Sequence, residues 1–99
     1  MFLAKVIGSV VATQKHAKFQ GMKLLVVQPC IAKDGSLVES GNTVVAVDSV
    51  GAGIGTYVLF TQGSSARFTP VTKDSPADAV IVGIVDTIEM GAARVEMPQ

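Results

Sequence analysis

The chain has 99 residues, of which 48% are hydrophobic and only 16% charged; eight basic and eight acidic side chains leave no net charge. A chain of this length makes one small domain, 1–99, that buries only about 60–65% of its unfolded surface. Balanced charge excludes strong long-range attraction to phosphate backbones or anionic lipid, so neither nucleic acid nor a membrane is an expected partner.

The composition has a further consequence. An average soluble domain is about 25% charged, and monomers rarely leave large contiguous apolar patches in water. The apolar excess therefore predicts that another chain covers part of the outside. The longest apolar run, Ala79 to Val85, falls well short of the ~18–20 residues that a membrane-crossing helix needs. Met1 to Lys5 lacks the basic region and apolar stretch of a secretory leader. A single cysteine excludes a disulfide within the chain, and the cytoplasm is the expected compartment.

From Phe2 to Thr13 the even positions (Phe2, Ala4, Val6, Gly8, Val10, Ala12) are small or apolar, a period of two that predicts a strand. Its odd positions carry Leu3, Ile7 and Val11, which are wasted in water and useful against a neighbouring subunit. Polar residues 13–21, with Lys15, His16 and Lys18, read as a loop. Lys23 to Ile31 is a second strand built on Leu24, Leu25, Val26 and Val27. Lys33-Asp34-Gly35-Ser36 is a turn, because Asp tolerates and Gly prefers the positive φ of tight turns. Thr43 to Asp48 makes a third strand and ends at the glycine loop Gly51-Ala52-Gly53-Ile54-Gly55, which leads into a fourth strand, Thr56 to Thr61. Gly63-Ser64-Ser65-Ala66-Arg67 predicts one helical turn, with serine as N-cap. Beyond Pro70 and Pro76, Ala79 to Ile88 is the most β-favouring segment, interrupted by Gly83, a residue that inside a strand marks a bend or bulge. The tail, Gly91 to Gln99, is either a brief edge strand or frayed.

Five strands and a single helical turn cannot make an α/β layer, and open sheet edges in so apolar a chain would invite aggregation. The predicted fold is all-β: a small five-stranded Greek-key barrel of the oligonucleotide/oligosaccharide-binding (OB-like) type with a one-turn helix.

No motif points to catalysis. The loop Gly51 to Gly55 has the spacing G-x-G-x-G and precedes a strand, where a dinucleotide site needs a helix N-terminus. It is either a tight irregular turn or a loop whose missing side chains let several copies approach one symmetry axis. Gly63 to Arg67 lacks the second glycine and the strand-to-helix setting of a hydrolase elbow. Its exposed N–H groups and Arg67 could hold an anion, but a capped turn with Arg67 bonding a neighbouring chain is the stronger reading. Cys30, near Pro29 in an apolar strand, reads as a buried, inert thiol. His16 has no Cys or second His with which to bind zinc. Asp74, Asp78 and Asp86 form no paired acid and base, and Asp86 is expected to accept hydrogen bonds from backbone or Arg67. No cofactor and no metal are expected.

The stretches AVDSVGAGIG (Ala46 to Gly55), GSSAR (Gly63 to Arg67) and SPADAVIVGIVDT (Ser75 to Thr87), preceded by AKVIGSVVATQK (Ala4 to Lys15) and GMKLLVVQP (Gly21 to Pro29), resemble the EutN/CcmL family of bacterial microcompartment vertex proteins. Together they cover nearly the whole chain in the family's order. The resemblance implies a barrel that closes into a cyclic homo-pentamer, caps the five-fold corners of a cytoplasmic protein shell and meets hexameric shell proteins along its rim. It also implies that Gly51, Ala52, Gly53, Ile54, Gly55, Ser64, Ser65 and Arg67 lie near subunit contacts or the central opening. The family tends to carry an acidic residue after the last loop glycine, followed by Trp or an aliphatic residue; here the positions hold Thr56 and Tyr57. The competing reading is an OB-type binding module for single-stranded nucleic acid, or for a small anionic metabolite at a subunit interface. Against the first stand scattered aromatics (Phe2, Phe19, Tyr57, Phe60, Phe68) and no basic surplus.

Overall fold

A computed structural model describes residues 1–11, 22–63, 79–91 and 93–97. Among the described residues eight strands follow one another: β1 (Phe2–Val10), β2 (Lys23–Lys33), β3 (Ser36–Glu39), β4 (Val44–Asp48), β5 (Tyr57–Gln62), β6 (Ala79–Ile84), β7 (Thr87–Met90) and β8 (Ala93–Glu96). Five of them close a barrel in the order β1-β2-β4-β6-β5, with β1 hydrogen-bonded to both β2 and β5. Its pairings are antiparallel apart from β4 with β6, which run parallel. That is the predicted OB-like closure, and it leaves the five barrel strands no open edge.

The period of two seen in the sequence becomes the inside and outside of this barrel. Ala4 and Val6 of β1, Leu25 and Val27 of β2, Ala46 of β4, Val58 and Phe60 of β5, and Ala79 and Ile81 of β6 are buried together in one core. Phe60 is its largest side chain, and Phe2 lies against it with ring centroids 5.4 Å apart. A second cluster sits on the outer face, where Val47 and Val80 pair across the parallel strands and pack with Leu24 and Val82.

Two bulges bend the strands around the core. In β1 the register with β2 shifts so that Ile7 has no partner between Val6 and Gly8. In β6, Phe60 faces Ile81 and Leu59 faces Gly83, leaving Val82 unpaired next to the glycine that the sequence marked as a bend.

The turn at 33–36 is a two-residue hairpin: Lys33 pairs with Ser36, and Asp34 (φ 52°) and Gly35 (φ 78°) both adopt the left-handed conformation that such turns require. It leads into β3, a four-residue strand paired to the end of β2 that the sequence pattern did not separate from the turn.

The predicted single strand from Ala79 to Ile88 is two. Val85 donates its N–H to the Tyr57 carbonyl (2.9 Å), prolonging the β5–β6 ladder by one residue, and the Asp86 carbonyl accepts the Met97 N–H (2.9 Å) where the chain leaves the barrel. It then forms a separate two-stranded ribbon, β7–β8. The tail is thereby a strand at Ala93–Glu96 and not frayed there. Ala12 and Thr13 of the predicted first strand, and residues 64–67 of the predicted helical turn, lie outside the described residues.

Candidate assembly surface

The glycine loop is built from the end of β4. Asp48 closes that strand, and its carboxylate turns back to accept three successive backbone N–H groups: Oδ1 from Val50 (3.0 Å) and Gly51 (3.1 Å), and Oδ2 from Ala52 (3.0 Å). Lys23 at the start of β2, the cross-strand partner of Asp48, donates through Nζ to the Ala52 carbonyl at 3.1 Å. The Ala52 methyl is fully buried within the barrel core. Gly55 N–H then donates to the Val6 carbonyl (2.8 Å), Val6 N–H returns a bond to the Thr56 carbonyl (2.9 Å), and Thr56 N–H bonds Gly53 O (3.2 Å). Gly51 (φ 79°) and Gly55 (φ 93°) hold the left-handed conformations at the two ends of the loop, where any side chain would be strained.

A loop braced in this way loses little entropy when something binds to it. What it presents is apolar and uncharged: Gly51 and Gly53 are exposed, and Ile54 stands 69% exposed at the tip. The loop is an irregular turn in which Gly51 and Gly55 take positive φ and Gly53 does not. Thr56, at the position where the family tends to be acidic, is buried, so the end of the loop carries no charge. The other residues assigned to the surface, Ser64, Ser65 and Arg67, lie outside the described residues, as do His16, Asp74 and Asp78.

The barrel wall continues the apolar surface. Ile7, thrown outward by the β1 bulge, is 47% exposed; Val45 of β4 is 52% exposed, and Val26, opposite both Gly8 and Val45, joins them. Of the odd positions Leu3, Ile7 and Val11 that the sequence marked as wasted in water, Ile7 belongs to this wall; the bulge shifts the register of β1 beyond it. At the other end of the barrel an apolar cavity of about 360 Å³ opens between Phe2, Pro29, Ile31, Val44 and Phe60.

Cys30 also lines that cavity and is half-buried, less enclosed than the sequence suggested. Burial pushes its thiol pKa up; the Lys5 main-chain hydrogen bond opposes this and the nearby Glu39 carboxylate adds to it. A raised pKa favours the neutral thiol.

Three aromatic side chains fall among the described residues, and each has a contact within the chain. Phe60 is core, Phe2 is tilted against it, and the Lys5 ammonium sits 5.7 Å from the centre of the Tyr57 ring. Among the described residues no three His, Cys, Asp or Glu side chains gather to hold a metal ion, and no helix is long and apolar enough to cross a membrane.

Comparison with known proteins agrees with this geometry. The family model described as ethanolamine utilisation protein EutN/carboxysome matches residues 1–86. The bacterial microcompartment shell vertex protein GrpN of Rhodospirillum rubrum is 49% identical over 89 residues, covering 90% of this chain and 97% of its own. Its solved structure, described as a pentameric microcompartment shell protein, superposes with a TM-score of 0.79 at 48% identity over 91% of this chain and 99% of that one. A carboxysome shell vertex protein CcmL from a Synechocystis species is 45% identical over 93% of this chain and 89% of its own. The structure of Gloeobacter violaceus CcmL superposes with a TM-score of 0.85 at 34% identity, over 98% of this chain and 97% of that one.

Proposed function

Because the chain belongs to the EutN/CcmL family, whose model spans its whole barrel, we infer that it is a structural shell protein of a bacterial microcompartment and forms the pentamer at a five-fold vertex. The carrying observation is a closed five-strand barrel that leaves an apolar wall exposed at Ile7 and Val45, in a chain 49% identical to a named shell vertex protein. Five such chains in a head-to-tail ring bury that wall.

The role follows from geometry. Six-fold units alone tile a flat sheet, so a closed polyhedral shell needs five-fold units at its corners. Hexameric facet proteins are the rim partners, and the cytoplasm is the setting of the shell. The braced loop Gly51–Gly55, together with Ser64, Ser65 and Arg67, is assigned to subunit contacts or to the central opening. The work done is shape and closure, so this reading asks for no catalytic residue and no cofactor.

Native mass spectrometry tests it. A ring of five chains of 10.2 kDa weighs about 51 kDa. Co-expression with the hexameric shell proteins should then give closed particles, and omission of this chain should leave open sheets or unsealed corners. A purified protein that stays a single chain at micromolar concentration refutes the reading.

A further inference from the structure

The β7–β8 ribbon is a sheet of its own, paired with no strand of the barrel. It is anchored at its base, where Met97 N–H bonds the Asp86 carbonyl and the Met97 side chain is buried beside Lys5, Leu37 and Tyr57. Beyond that base the register sorts its residues by chemistry. Thr87 faces Glu96 and Glu89 faces Arg94, and all four are exposed. On the opposite face are Ile88, paired with Val95, and Met90, paired with Ala93; Ile88 and Met90 are only half-covered.

A two-stranded ribbon with one apolar face is marginal in water by itself, and needs a third strand or a packing partner to hold it. We propose that in the assembled ring each ribbon lays its Ile88/Met90 face on the barrel wall of the neighbouring copy, over Ile7, Val26 and Val45. This rests on the pentameric reading above and names the surfaces that make the contact.

Two observations favour a second copy over a facet protein. A head-to-tail ring needs two unlike surfaces on every chain, and this chain has both, a projecting apolar ribbon and an exposed apolar wall. Both are sheet faces, which pack flat on one another at about 10 Å. The family model ends at Asp86, just before the ribbon begins.

Native mass spectrometry on a dilution series, with amide hydrogen exchange on the same full-length protein, tests this. In Ile88→Glu/Met90→Glu the concentration at which the ring half-dissociates should rise at least about tenfold. Val45→Glu should act in the same direction, while Glu89→Gln on the polar face should leave it unchanged. Far-UV circular dichroism checks that the barrel of each variant is folded. In the wild-type ring the amides of residues 88–95 should exchange slowly, and should speed up on dissociation while β1 and β5 stay protected.

Wild-type pentamers whose ribbon amides exchange at unprotected rates, or a double variant that assembles like the wild type, overturn the ribbon contact and leave the ring intact. Ribbon protection that arises only after hexameric shell protein is added overturns it in favour of the facet. A wild-type chain that never assembles removes both readings.

Discussion

Replacing Asp48 by alanine removes the acceptor for three backbone N–H groups at once, those of Val50, Gly51 and Ala52 at 3.0–3.1 Å. The Val50 and Gly51 bonds are exposed, so water replaces the carboxylate there at little cost; the Ala52 bond is partly buried. Leaving that donor unpaired costs about 1–3 kcal/mol. The loss of two exposed charge-assisted bonds adds a few tenths each, for a total of about 2–3 kcal/mol. Because Ala52 is fully buried in the core, the loop cannot swing free to rehydrate without opening the barrel. In a domain near 100 residues 1 kcal/mol moves the midpoint by about 4–8 °C, so Asp48→Ala should unfold about 10–20 °C earlier. The assay is thermal circular dichroism at one fixed protein concentration, since assembly makes the midpoint concentration-dependent. Asp48→Asn keeps one acceptor oxygen and should lose about half as much. A drop of less than about 3 °C for Asp48→Ala would mean that the carboxylate does not brace the loop.

Phe60→Ala should cost about 3–5 kcal/mol, because the ring is 1% exposed and is the largest buried side chain; chemical denaturation of the assembled protein measures it. Cys30 should be alkylated by iodoacetamide more slowly in the native protein than in the unfolded chain at pH 8, since burial raises its pKa. Between the ordinary thiol pKa and the raised one the native state holds the proton that the unfolded state has lost, so stability falls as pH rises through that window. Cys30→Ser should flatten that part of the alkaline decline seen in thermal midpoints. Arg67→Ala should lower the thermal midpoint of the ring and its native mass on dilution, if the guanidinium bonds a neighbouring chain; unchanged values in both would remove Arg67 from the interface.

The first strand of the barrel was legible in a period of two, because burial of one face imposes it, and the others in short apolar, β-branched runs bounded by turn residues. Ala4 and Val6, Leu25 and Val27, and Val58 and Phe60 each stand two positions apart on one strand and are buried together in the core. The turn at Asp34-Gly35 was legible for a different local reason, since both residues accept positive φ. The bend beside Gly83 was legible as a missing side chain in an otherwise β-branched run.

Three features were decided by partners distant in the chain. Nothing near Val85 and Asp86 signals that a run of β-favouring residues leaves the barrel; the Met97 N–H, 11 positions away, meets the Asp86 carbonyl at the exit. The bracing of the glycine loop joins Asp48, Lys23 and Val6 from three strands, so a pattern read along one segment sees only glycines. The β7–β8 ribbon needed the pairing itself to show that Ile88 and Met90 share a face unclaimed by the core. Composition and periodicity thus determined that the chain is a barrel with apolar surface to spare, because local spacing records which face is buried. Where that surplus lies was decided only by tertiary structure, because hydrogen bonds and contacts between remote segments leave no periodic trace in the chain.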